Sequence, residues 1–299
     1  MMSAPTCVAV ESPWQRLRRD FMASRLAMFG LILLGLVVFV AICAPLISMQ
    51  NPYDLKQVSI EDSRMAPGST MSTGKTALLG TDEQGRDLLS AIFYGLRISL
   101  MEGVTSTFFA MLIGLSIGLF AAYAGGRTDS AIMRLVDIQL SFPAILIALI
   151  LLAVLGQGID KTIVALITVQ WAYYARTVRG AALAERQKEY MEAARVLALP
   201  TARVIFRHLL PNCLPPLIVI ATVQVAHAIA LEATLSYLGI GVPVTEPSLG
   251  MLIRNGFEYM LSGKYWISFY PGIALLITIV AINLVADQLR DVLNPRLQK

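Results

Sequence analysis

Charge is scarce in this sequence: Asp, Glu, Lys and Arg make up 15% of its 299 residues, against 56% apolar. With a mean hydropathy of +0.66, that scarcity excludes a large water-soluble core and puts the chain among polytopic membrane proteins. Cysteine is nearly absent. Cys7, Cys43 and Cys213 stand far apart with no CxxC pair, so neither a disulfide framework nor a zinc site is indicated, and no metal or cofactor is expected. HExxH, GxSxG and a paired acidic motif within an apolar segment are all missing, so the usual signs of an enzyme are lacking. The net charge of +4 comes without a basic stripe or interleaved aromatics. Topology signalling explains it better than nucleic acid.

What the chain does have is a series of apolar segments, read as an all-α protein with six transmembrane helices. A polar tail, 1–25, ends in Arg16, Arg18, Arg19 and Arg25, and the charge-free run that follows gives a first span at 26–48. About 20 apolar residues cross a bilayer, and this run exceeds the length of a cleavable signal's apolar region. The polar stretch 49–97 is a loop outside the hydrocarbon. Within it, Gly68 to Thr76 resembles a phosphate-binding loop but has five residues between its glycines instead of four, and no apolar strand leads in. A flexible Gly/Ser/Thr loop is the expectation.

A core of five further spans occupies 98–289. The second apolar segment, 103–126, places Ser106, Ala110, Gly114, Gly118, Ala122 and Gly126 at every fourth position, a stripe that lets another helix approach closely. The third, 138–159, carries Pro143 near its start, where a kink is expected. The fourth is short: only 162–175 is uncharged, with Arg176 and Arg179 read as snorkelling from its end. The fifth and sixth run over 214–241 and 265–286, joined by an extracytoplasmic segment, 242–264. A tail, 290–299, closes the chain. Lys and Arg concentrate on the pieces that six spans put with the N-terminus, so both termini are read as cytoplasmic.

Between the fourth and fifth segments lies a charged island, 185–211. Tyr190, Ala193, Ala194 and Leu197 recur at i, i+3, i+4, i+7, one face of a helix, with Glu185, Lys188, Glu192 and Arg195 opposite. Pro200 ends that helix, and Thr201 is the expected N-cap of a second one reaching Pro211. Few ionisable groups lie within the apolar segments. Glu232 and His227, both in the fifth, are the candidates, with His227 read as a packed histidine. One carboxylate is thin support for an ion-coupled secondary transporter, so the energy source is expected to be another polypeptide docking on the cytoplasmic island.

The island carries a resemblance. Glu192, Ala193, Ala194 and Ala198, then Ile205 and Leu210-Pro211, are similar to the EAA loop of ABC importer permeases, which usually has Gly where Ala198 stands. Three further stretches resemble the C-type permease subunit of dipeptide, oligopeptide and nickel importers: Leu79 to Ser90, Glu232 to Gly241, and Asn283 to Asp291 with Asn294-Pro295. Departures are Leu249, where Trp is frequent, and Ala286, where Gly is usual. The resemblance implies a type I ABC importer permease (MetI-like) fold in the bacterial inner membrane and a non-catalytic subunit. Its implied partners are a B-type permease, two cytoplasmic ATPase subunits and an extracytoplasmic binding protein. Glu192, Ala193, Ala194, Ala198, Leu210 and Pro211 would couple to the ATPase. Asp82, Arg86 and Asp87 are read as a structural turn or a binding-protein contact, and Glu232 as a gate or interface residue. Peptide is the cargo this implies, with nickel or glutathione as alternatives within the family.

Overall fold

The computed structural model describes residues 13–54 and 56–293. Residues 1–12 of the polar tail, with Cys7, and Asn294-Pro295 with the end of the chain lie outside the described residues. The structure is helical almost throughout, with one small β-hairpin in the first loop.

Helix α1 (Pro13–Ala23) turns into α2 (Arg25–Ile47) at Ser24, whose hydroxyl accepts from the Ala27 amide at 3.3 Å and caps the second helix. Ala27, Gly30, Val37, Ala41 and Ala44 form the buried stripe of α2, packed against α3 and α11, while Leu26, Phe29, Ile32, Leu36, Phe39 and Ile42 point outward. Small residues inward and large apolar residues outward is the pattern of a helix whose outer solvent is lipid.

In the first loop, strands β1 (Ser69–Thr70) and β2 (Thr76–Ala77) pair antiparallel around the expected flexible stretch. The stretch is pinned rather than loose: the buried Asp62 carboxylate accepts from the Ser72 amide at 2.8 Å and from its hydroxyl at 2.7 Å. No helix follows the glycines, so the segment has none of the anion-cradling geometry of a phosphate loop.

Helix α3 (Leu88–Ala124) has 37 residues, roughly 55 Å of helix against about 30 Å of hydrocarbon. It begins well inside the stretch that polarity assigns to the loop, because Asp87 accepts from the Ser90 amide at 2.9 Å and caps it there. Ser106, Ala110, Gly114, Gly118 and Ala122 are all buried, mainly against α6 (Ile159–Glu185), and only Gly126 falls beyond the helix end. A Cβ on Gly118 would lie 2.6 Å from the Ala175 carbonyl oxygen, and one on Gly114 would overlap the Tyr174 side chain. The stripe therefore packs, and does not face a channel.

The third segment is not one straight span. Helices α4 (Gly126–Ser141) and α5 (Ala144–Leu155) meet at 89°. Pro143 forces its predecessor out of helical space, and Phe142 is extended, with φ −90° and ψ 143°. Arg176 and Arg179 do not snorkel freely either. Arg179 makes a two-pronged pair with Asp129 of α4, at 2.7 and 2.6 Å, and Arg176 pairs with Asp137. Paired guanidinium groups account for how α6 continues so far past its uncharged portion.

After α6 come α7 (Glu189–Val196), the single turn α8 (Thr201–Arg203), a widened π-type stretch over 204–209, and α9 (Leu210–Tyr237). Helix α10 (Leu249–Phe257) lies between α9 and α11 (Trp266–Leu293), and α11 runs on through the residues read as the start of the tail. Among the described residues, α2, α3, the continuous run 201–237 and α11 are long and apolar enough to cross a membrane, and α4 with α5 makes up to a fifth. Helix α6 has the length, at 27 residues, but carries charge at both ends.

Replacing Gly114 with Leu should push α3 off α6 and lower stability by about 1–3 kcal/mol, whereas Gly35→Leu, where an added Cβ meets nothing within 4 Å, should leave it near wild type. Thermal unfolding of the purified variants in detergent checks both.

Candidate functional site

Helix α7 is short, acidic in its first turn, and packed by one edge only. Met191 and Ala194 are buried in a cluster with Ala122, Val178, Ala182, Val204, Leu209 and Cys213, drawn from α3, α6 and the start of the fifth span. Tyr190, Ala193 and Leu197, expected on the same apolar face, are exposed, as are Glu189, Glu192 and Val196. Ala194 is thus an inward packing residue, and the surface offered outward is Glu192, Ala193, Val196 (86% exposed) and Leu197 (71% exposed). An eight-residue helix cannot hold itself together in water. The buried edge, not propensity, keeps it formed.

Ala198 closes α7 in the left-handed region, with φ 49°. The Leu199 amide reaches back to the Ala194 carbonyl at 3.2 Å, and Leu199 packs on the cluster that holds Ala194. This is a Schellman closure whose left-handed position normally takes glycine. Alanine there carries about 1–2 kcal/mol of strain, and that is the physical content of the Ala198 departure: the turn is as tight as glycine would make it.

Thr201 is not an N-cap. Pro200 occupies that place, and the Thr201 hydroxyl lies 2.9 Å from the Tyr123 hydroxyl at the end of α3. Arg186 donates to the Ala122 carbonyl and sits over the Tyr123 ring. The helix does not stop at Pro211. The Leu210 amide bonds to Ile205 five residues back, and Asn212 donates to the His208 carbonyl at 2.7 Å. The widened turn absorbs the missing proline amide, so Leu210, half-buried, and Pro211, exposed, sit inside a continuous helix.

Sequence reasoning missed the network below α7. Glu185 accepts from Lys188 at 2.6 Å and from the Tyr190 hydroxyl at 2.7 Å, and Asn212 donates to that hydroxyl at 3.2 Å. Burial pushes Glu185 up, but the bonds from Lys188 and Tyr190 outweigh it and leave the carboxyl below its ordinary value. Burial and the Glu185 carboxylate push the Tyr190 hydroxyl up to about 12. The network ties the start of α7 to the first turn of α9.

On the opposite side of the molecule, Asp82, Arg86 and Asp87 are all buried. Arg86 Nε donates to Asp82 at 2.6 Å, and Asp82 also accepts the amides of Gln84 and Arg86, each at 2.9 Å. Gly85 takes φ 80°, and a Cβ there would strike the Ser59 backbone. This is a structural turn, with all three charged side chains closed off inside the loop.

Glu232 is fully buried, accepting from Ser99 of α3 at 2.9 Å and from Ser236 at 2.8 Å. It ties α3 to α9 and does not sit at a water interface. A second buried acid went unseen: Glu102 of α3, with no hydrogen-bond partner for either oxygen. It lies one residue before the apolar segment read from the sequence, and only the early cap at Asp87 shows that it is inside a helix. His227 is exposed on α9 rather than packed.

Comparison with known proteins bears on what such an arrangement serves. Residues 114–299 match the family described as binding-protein-dependent transport system inner membrane component, and residues 12–67 match the N-terminal TM domain of oligopeptide transport permease C. The chain is 37% identical to the di/tripeptide transport system permease protein of Pseudomonas aeruginosa, covering 96% of this chain and 93% of that one. It is 34% identical to the dipeptide transport system permease protein of Haemophilus influenzae, over 100% of both, and 36% identical to the oligopeptide transport system permease protein of Bacillus subtilis, over 96% and 91%. A chain in the inward-facing structure of the MetNI methionine ABC transporter superposes with a TM-score of 0.57 at 22% identity, over 69% of this chain and 97% of that one.

Ala198→Gly should relieve the left-handed strain and slow amide exchange at Leu199 by about fivefold, the equivalent of ~1 kcal/mol, read by hydrogen exchange. Asp82→Ala leaves Arg86 buried and unpaired and should cost about 3–5 kcal/mol, read as a fall in melting temperature.

Proposed function

The chain belongs to the inner membrane components of binding-protein-dependent transport systems, and on that footing we propose that it is one permease subunit of a peptide-importing ABC transporter. It pairs with a B-type permease to enclose one pathway, two ATPase subunits dock from the cytoplasm, and an extracytoplasmic binding protein delivers di- or oligopeptides. The names of the relatives support the peptide cargo. No reaction occurs in this chain. ATP is hydrolysed by its partners.

One observation carries the coupling assignment: α7 is packed by Met191 and Ala194 into a cluster drawn from three long helices, while Glu192, Ala193 and Val196 are exposed. Its outer surface, Glu192 with Ala193, Val196 and Leu197, presents a carboxylate beside bare apolar side chains. A carboxylate among such side chains suits a cleft with one or two cationic donors. Ala198 shapes that surface by closing the helix, and Leu210-Pro211 by anchoring the return into α9. Closure of the ATPase pair draws α7 with it, and the buried edge passes the displacement to α3, α6 and α9. Free energy enters as different contacts in two states.

In this reading α7 is cytoplasmic, six spans put both termini on its side, and the loop carrying Asp82 faces outward. Glu232, by joining α3 to α9 through Ser99, stands where the outer ends of two spans must part when the pathway opens. It is a gate tie rather than a binding-protein contact.

In the assembled transporter, Glu192→Lys should reduce ATP hydrolysis stimulated by loaded binding protein to the basal rate, with assembly in the membrane intact. Stimulation at the wild-type level would contradict the coupling assignment.

A further inference from the structure

One feature of the fold is used by none of the roles above. A cavity of about 340 Å³ opens between α5, α6 and α9, lined among others by Gln170, Tyr173, Gln224, His227 and Thr234. Its size lies at the lower end of pockets that enclose a small ligand. The chemistry of its wall is unusual for a helix bundle in lipid, where polar side chains normally find partners on neighbouring helices.

Gln170 is 3% exposed, and its carbonyl accepts from the Thr107 hydroxyl at 3.2 Å. Its amide nitrogen has no partner. Thr107 therefore fixes which end of the side chain lacks a partner: a buried N–H donor without an acceptor. Gln224, one element across on α9, lines the same space and is 6% exposed. Neither Asp, Glu, Lys nor Arg lines the cavity.

We propose that this cavity is a subsite for the main chain of the transported peptide, in which Gln170 donates to a peptide carbonyl and Gln224 accepts from a peptide N–H. The inference rests on the peptide-permease reading. A peptide's side chains vary in size and charge, but its backbone always offers the same carbonyl and N–H. An uncharged wall with one fixed donor and one amide engages that constant part and is indifferent to the rest. The two glutamines bind cargo and take no part in ATP hydrolysis.

The test uses the complete transporter in proteoliposomes and two probes: trialanine, and the same tripeptide with the second of its two amides replaced by an ester, which removes one N–H and keeps the carbonyl. Wild type should take up the amide faster than the ester. Gln224→Met should cut that preference by at least about fivefold, the worth of one hydrogen bond, by slowing the amide alone. Gln170→Met should slow both probes about equally and keep the preference, since it removes the donor to a carbonyl that both possess.

An unchanged amide-to-ester ratio in Gln224→Met overturns the proposal. So does loss of the second permease from the purified Gln224→Met assembly, which makes the cavity a seam between subunits. If Gln170→Met fails to assemble because its bond to Thr107 is lost, the Gln224→Met ratio decides alone. A wild-type transporter that takes up neither probe nor any other peptide removes the peptide reading itself, a result distinct from normal uptake with an unaltered ratio.

Discussion

The close approach of α3 and α6 is the constraint on which the rest depends. In lipid, no hydrophobic force drives helices together, so contact must come from surfaces that fit. Gly114 and Gly118 bring the α3 backbone against Tyr174, Ala175 and Val178, and Ala110 and Ala122 continue the seam at either end. The cluster at the lower end of that seam is the one that receives Met191 and Ala194 of α7 and Leu209 and Cys213 of the fifth span. A short helix that has no stability of its own is thereby made part of a rigid body spanning the membrane. The exposed face of α7 is a handle only because its other edge belongs to the core.

The two ends of the bundle are built differently. Near α7, Glu185 has two donors, Arg179 a two-pronged carboxylate, and Thr201 the Tyr123 hydroxyl. Toward the other end, Arg86 pairs with Asp82, while Glu102 of α3 has no partner and Glu232 of α9 is held by serine hydroxyls alone. Neutral hydrogen bonds to a carboxyl exchange more readily than ion pairs.

Much of this was legible in the residues. The apolar runs located α2, α3, the fifth span and α11, and the four-residue stripe named the packing face of α3 before any contact was seen. Pro143 marked the break between α4 and α5, although its 89° size could not be read from composition. The misses share a cause, which is that periodicity shows a helix has two faces without showing which one the protein keeps. Tyr190, Ala193, Ala194 and Leu197 form one apolar face of α7 by spacing, and that spacing does not show that Ala194 turns inward with Met191 while the other three stay exposed. Glu102 was hidden because a hydropathy count begins after a charge, whereas the helix begins at its cap, Asp87. Pro211 read as a terminator because proline lacks an amide, and the widened turn that compensates leaves no trace in the sequence. At Ala198, where the family usually has glycine, the left-handed conformation is kept and alanine bears the strain.

The central claim is that the outer surface of α7 meets an ATPase on the cytoplasmic side. The most direct measurement is thiol cross-linking from Leu197→Cys in the assembled transporter, in a background where Cys7, Cys43 and Cys213 are replaced by alanine. The expected result is a cross-link to an ATPase subunit whose yield changes when ATP is added, with no labelling of the new thiol by a membrane-impermeant reagent from outside. Labelling from the outer side, or cross-links that never include an ATPase subunit, would contradict the account.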